Sequence, residues 1–124
     1  MLSSCDVIAF VGTARPEEAR AFYSEVLGLR LVSDDPFALV YDANGTTLRV
    51  TKADTVDPAP HTVLGWRVDD IAAAVRGLVA RGVAFSRYEV LEQDELGIWT
   101  APGGAARVAW FKDPDGNTLS LTQQ

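Results

Sequence analysis

Residues 113–121 read DPDGNTLSL, a polar Asp-Gly turn followed by a run in which Leu119 and Leu121 alternate with Thr118 and Ser120. A strand leaving a tight turn with apolar residues at every second position is half of a β-hairpin with one buried face. The phrase has an echo. Residues 42–50, DANGTTLRV, match it in register at Asp, Gly, Thr and Leu, and Val50 falls on Leu121. A turn and strand that recur in both halves of a chain predict a doubled structural module.

Working upstream from each hairpin, the same elements recur. A helix is expected over about 16–27, where Pro16 needs no donor in the first turn and Glu17 and Glu18 suit the positive dipole end. Ala19, Phe22 and Val26 make its expected buried face, and Gly28 its left-handed cap. A second helix is expected over about 70–81, with Asp70 as N-cap, Ile71, Val75, Leu78 and Val79 as its stripe, and Gly82 closing it. Apolar runs at 7–11 and 63–68 precede the helices, and 29–32 and 83–86 follow them as short strands. Runs at 37–41 and 107–112 then enter the hairpins.

The order is β-α-β-β-β, twice, which is an α+β pattern with helices on one side of a mixed sheet. Module one covers about 4–52, a Pro-containing linker about 53–61, and module two about 62–124, all within one domain, 1–124. An extra loop, EVLEQDELGIWTAPGG, occupies 89–104. If Ala9, Val11, Leu48, Val50, Leu64, Trp66, Leu119 and Leu121 face the helices, period-two alternation turns Ile8, Phe10, Arg49, Val63, Gly65 and Ser120 to the other side.

The bulk numbers narrow the class of function. A net charge of −6 disfavours nucleic acid and anionic membranes, which select basic surfaces. The single cysteine, Cys5, allows no internal disulfide and no Cys-based zinc site, and reads as a half-buried structural residue near a strand start. The N-terminus has no basic segment, and no apolar run approaches the ~20 residues of a membrane span, so a cytoplasmic protein is expected. No nucleophile motif or phosphate loop is present, since GTARPEE lacks the Lys and spacing of a P-loop.

With FYSEVLGL at 22–29 and WFKDPDGNTLSL at 110–121, the doubled module resembles the vicinal oxygen chelate superfamily, the glyoxalase, bleomycin-resistance and extradiol-dioxygenase group. The resemblance implies two paired βαβββ modules in a curved eight-stranded mixed sheet with a cup-shaped cavity, commonly as a homodimer. It also implies a divalent metal held by His, Gln or Glu on the first and last strands of each module, acting as a Lewis acid on vicinal oxygens. Carried over by offset, those ligand positions fall on Ile8 and Arg49 in module one and on Val63 and Ser120 in module two. Two are apolar, one is a fixed cation and one is a neutral hydroxyl, so no metal and no other cofactor is expected. The only histidine, His61, stands two residues before Val63 and reads as a strand-end side chain without partner ligands.

Without a metal, the cup would be lined by Ile8, Phe10 and Val63, with Arg49 and Ser120 beside them, as a small-molecule pocket is. Arg49 is the candidate for holding an anionic group, and Trp99 in the inserted loop is a candidate lid, dimer seam or core residue. The leading expectation is a metal-free protein that binds or sequesters a small organic ligand. The alternative is a lyase-, isomerase- or dioxygenase-type enzyme, with an unrecognised metal site or with Glu92 or Asp94 as a general base. A third class is a partner protein whose cup is filled by its own side chains.

Overall fold

A computed structural model describes all 124 residues, and the chain divides into two compact units, Met1–Asp57 and Pro58–Gln124. The division falls inside the expected linker. No helix is long and apolar enough to cross a membrane.

In the first unit, β1 (Ile8–Thr13), β2 (Arg30–Asp34), β3 (Ala38–Ala43) and β4 (Thr46–Lys52) form one mixed sheet in the order β1-β4-β3-β2. The strand leaving the DANG turn is therefore interior, parallel to β1 on one edge and antiparallel to β3 on the other. Asn44 (φ 52°) and Gly45 (φ 93°) both lie in the left-handed region, as a two-residue turn matching strand twist requires. The Gly45 amide donates to Asp42 Oδ1 at 2.8 Å, which pins the turn.

Helix α1 (Pro16–Ala21) carries Pro16 in its first turn, as expected, but ends sooner than the sequence suggests. Its continuation, Phe22–Val26, widens into a π turn in which the Leu27 amide reaches Phe22 O at 2.9 Å. The fully buried positions are Ala19 and Tyr23, four apart, while Phe22 and Val26 are only half-buried. Tyr23 packs beside Tyr41 of β3 with ring centroids 5.9 Å apart, and such a pair contributes about 0.5–1.5 kcal/mol beyond its burial. Buried Tyr41 is satisfied by Ser24 Oγ at 2.9 Å, and burial raises its pKa.

The second unit repeats the plan as β5 (Thr62–Arg67), α2 (Ile71–Ala80), β6 (Trp99–Thr100), β7 (Arg107–Lys112) and β8 (Thr118–Gln123), in the order β5-β8-β7-β6. The quoted strand is again interior. Asp70 caps α2 as expected, accepting from the Ala73 amide at 3.1 Å, and Ile71 and Val75 are fully buried. Val79, placed on the same stripe from the sequence, is 52% exposed, so the buried face of α2 is narrower than the apolar stripe.

The two turns are not identical. In DPDGN the chain makes a three-residue loop, Pro114-Asp115-Gly116, closed by Asp113 N–H to Asn117 O at 3.1 Å, with Gly116 left-handed at φ 86°. Asp113 is 5% exposed and accepts from the Asp115 and Asn117 amides and from Asn117 Nδ2, all within 3.0 Å. A buried carboxylate held by three donors replaces the two-residue turn of the first unit.

Three local expectations are corrected. Residues 83–86 do not form a strand. Phe85 makes a single bridge to Phe111, and the edge place along β7 resumes only at Trp99, so the fourth strand is split by the segment between. The inserted loop thus contains β6 itself. Cys5 is exposed rather than half-buried, since it lies in a short N-terminal turn ahead of β1 where no other element covers it.

The ion pairs of the first unit centre on Asp34, which accepts from Lys52 Nζ at 2.6 Å and Arg20 Nη1 at 2.8 Å. The Lys52 hydrogen bond, with that of Arg20, holds the Asp34 carboxyl below its ordinary value. A depressed carboxylate stabilises the fold fully above its unfolded pKa, and the contribution fades as pH falls through the lower folded value. Asp34→Asn is therefore expected to lower the melting temperature slightly at pH 7. The gap to the parent should close as pH falls below about 3.9, and should shrink in about 1 M salt because these side chains are partly solvated. Thermal melts across pH and salt check this.

Candidate functional site

Each sheet has one face against its helix and one open face, and register assigns the side chains between them. In the first unit Leu48 and Val50 are fully buried and Val11 nearly so. Phe10, Arg49 and Val40 then stand side by side on the opposite face. Ile8 is 50% and Phe10 60% exposed there, so this open face is apolar and uncovered within the unit. Arg49 is half-buried beside Phe10. It belongs to none of the unit's ion pairs, which join Arg20 and Lys52 to Asp34 and Arg30 to Asp42. Its charge does reach Asp35, whose carboxyl is lowered mainly by the Phe37 and Ala38 amides and further by Arg49.

In the second unit Leu119 and Leu121 are buried, and Ser120 lies on the opposite face between Gly65 of β5 and Trp110 of β7. Ser120 is nevertheless only 6% exposed. A Cβ built on Gly65 would stand 2.7 Å from Ser120 Oγ, so the hydroxyl occupies the space that a side chain at 65 would need. Ser120 is thus a packed element of the sheet rather than a projecting donor.

Val63 needs a correction of register. The pairing passes from Thr62 opposite Thr118 to Leu64 opposite Leu119, leaving Val63 as the extra residue of a bulge. In a bulge two residues oppose one, so Thr62 and Val63 share the place that alternation gives to Val63 alone. Val63 is 40% exposed, and His61 is exposed at the start of the strand.

On the open face of the second unit, aromatic side chains gather around Trp110. Trp110, half-buried beside Ser120, has two aromatic neighbours. Tyr88 meets it edge-on, with centroids 5.5 Å apart at 89°, and Trp99 lies at 6.1 Å and 40°. Trp99 is half-buried rather than a core residue, and it joins Trp110 in an aromatic cluster built on β6 and β7. On the Tyr88 side of Trp110 is a shallow recess of about 210 Å³, bounded by His61, Thr62, Leu91 and Thr118 as well. On the Trp99 side a wider hollow of about 570 Å³ is edged by Glu92, Asp94 and Pro102.

The two candidate bases differ in their surroundings. Asp94 Oδ1 accepts from the Leu96 and Ile98 amides, each at 2.9 Å, so this carboxylate shapes the loop. Glu92 is exposed at the edge of the hollow.

Trp110 carried a usable signal: the hairpin register places it directly opposite Ser120. Tyr88 carried none, because its approach to Trp110 depends on how the segment after Phe85 folds back.

The donor set does not fit a divalent ion. The positions that the resemblance assigns to metal ligands carry Ile8 and Arg49 on one sheet and Val63 and buried Ser120 on the other. No group of three His, Cys, Asp or Glu side chains comes together in a metal-holding arrangement.

A β-α-β-β-β module with its last strand interior, occurring twice with an open sheet face each time, defines a glyoxalase-type α+β protein. The chain belongs to the Glyoxalase/Bleomycin resistance protein/Dioxygenase superfamily, whose family model matches residues 6–121. Among solved structures it is similar to TnmS3, an antibiotic binding protein from Streptomyces sp. CB03234, at 26% identity and TM-score 0.68, covering 97% of each chain. It is similar to a member of the same superfamily from Sphaerobacter thermophilus DSM 20745 at 26% identity and TM-score 0.70, over 95% of this chain and 97% of that one. Lactoylglutathione lyase from Agrobacterium tumefaciens shares the fold at 17% identity and TM-score 0.73, over 97% and 93% of the two chains. No curated protein matches the sequence.

The Gly65–Ser120 contact makes a sharp test of the second sheet. Gly65→Ala is expected to destabilise the protein by about 1–3 kcal/mol, as overpacking does. Adding Ser120→Ala should recover part of that loss, because the contact at 2.7 Å is to the hydroxyl while the backbone oxygen lies at 3.2 Å. Urea denaturation of the two single variants and the double variant measures the coupling.

Proposed function

We propose that this protein binds a small organic molecule on its open sheet surface, and that it does so without a divalent metal. The observation that carries the proposal is the exchange of donor for packing at position 120. Where the resemblance places a carboxylate ligand, Ser120 is buried against Gly65, and the exposed chemistry beside it is Trp110 with Tyr88 and Trp99. Apolar and aromatic walls with a few polar groups bind organic molecules by burial and shape. Arg49, outside the ion pairs of the first unit, offers a guanidinium to an anionic group. The similarity to an antibiotic binding protein at 26% identity supports binding over turnover. Asp94, tied into its loop by two amides, is poorly placed to act as a base.

The reading has two measurable parts. Protein dialysed after exposure to Zn²⁺, Ni²⁺, Mn²⁺ and Fe²⁺ is expected to retain far less than one ion per chain; stoichiometric retention of any of them overturns the metal-free part. A thermal-shift screen against small aromatic, aliphatic and anionic organic compounds is expected to give saturable stabilisation. A ligand at about 100 times its Kd adds about 2.7 kcal/mol, well above noise. No saturable shift with any compound overturns the binding part.

A further inference from the structure

The insertion that splits the fourth strand of the second unit is folded by its own side chains. The Tyr88 amide donates to Gln93 Oε1 at 2.8 Å, and Gln93 Nε2 donates to Ser86 O at 3.0 Å and Gly97 O at 2.8 Å. One carboxamide therefore ties the point where the chain leaves the sheet to the point where it returns. Arg87 adds a second clasp, its guanidinium donating to Asp94 O at 2.6 Å and Glu95 O at 2.7 Å. Gly97 is left-handed (φ 87°), and a Cβ there would press on Phe85 at 3.3 Å, so the return is tight.

These bonds set aromatic geometry. Tyr88 is held by its amide beside Gln93 and meets Trp110 edge-on, while Trp99, just beyond Gly97, also neighbours Trp110. The recess beside Tyr88 and Trp110 is about 210 Å³. That is below the about 300–1,000 Å³ of a pocket for a whole drug-sized molecule, so it suits one ring system. Its walls include the Tyr88 and Trp110 rings, set edge-on to each other, and aromatic surface of this kind favours a flat π system over a flexible chain of equal area.

We infer that the recess bounded by Tyr88, Trp110, Leu91 and His61 is a preformed subsite for a planar aromatic ring, with Gln93 as the residue that positions its Tyr88 wall. The inference rests on the small-molecule reading above and adds the ligand class. The clasp consists of bonds within the chain itself, so the ordering cost of the wall falls on folding rather than on binding.

The test compares 2-naphthalenesulfonate with 1-octanesulfonate, which share a headgroup and differ in the flat ring, by calorimetry and tryptophan fluorescence. The parent is expected to bind the naphthalene compound about tenfold more tightly. Trp110→Leu, and Trp110→Phe should the first variant not fold, test the ring contact. Leu is expected to abolish the preference and Phe to retain part of it. Gln93→Leu is expected to reduce the preference and to change the near-ultraviolet circular dichroism of the Tyr88–Trp110 pair. Gln93→Glu, which keeps the acceptor for Tyr88 N–H, should restore part of both, a recovery that stability alone would not give.

Equal affinity of the parent for the two sulfonates, or a preference unchanged in the Trp110 variants, overturns the aromatic subsite while leaving small-molecule binding standing. Failure of the two sulfonates while other compounds of the screen bind has the same meaning. Failure of every compound overturns both. An unchanged preference and unchanged dichroism in Gln93→Leu removes the positioning role.

Discussion

Both sheets depend on a strand that is hydrogen-bonded along its two edges. β4 and β8 each leave a glycine-containing turn, pair backward with the hairpin partner and pair forward, in parallel, with the first strand of the unit. A strand in that place has no free edge, so its register is set twice, and a slip of one residue would turn every buried leucine outward. Leu48, Val50, Leu119 and Leu121 are buried because of this double constraint. The same constraint delivers Arg49 and Ser120 to the open faces, so the core and the candidate site are two sides of one requirement.

The constraint explains which parts of the fold are legible in the sequence. Turn residues with positive φ, alternation in the interior strands and the Asp70 cap are local chemistry, and each predicts its element directly. What escaped prediction depends on partners distant in sequence. The bulge at Val63 exists only relative to β8, and alternation read along β5 alone cannot show it. The split fourth strand depends on Gln93 and Arg87 clasping carbonyls across the insertion, and neither residue has a pattern that announces it. Ser120 could be placed on the right face from parity, but its burial depends on Gly65 across the strand pair and on Trp110 opposite.

The acidic insertion shows why a charge cluster is a poor guide to chemistry. Glu92 and Asp94 read as candidate bases from an acidic run in the inserted loop that also includes Glu95. In the folded chain Asp94 closes a turn, and the carbonyls of Asp94 and Glu95 receive Arg87. The segment's contribution to the site is made through its backbone, which brings both Tyr88 and Trp99 beside Trp110.

Position 120 then connects fold and function. A carboxylate there would need room on a sheet face, and a metal or another cation to offset its desolvation. Serine needs neither, and its small side chain fits beside a glycine at 65 and under a tryptophan at 110. Those three choices are consistent with one another, and they leave no side-chain carboxylate at this position. Restoring a glutamate at 120 alone would place a charge in a space shaped for a hydroxyl, so the change from donor to packing residue is not undone by one substitution. The second sheet carries aromatic side chains on the face that Ser120 shares, and the proposed recognition by shape and π surface draws on them.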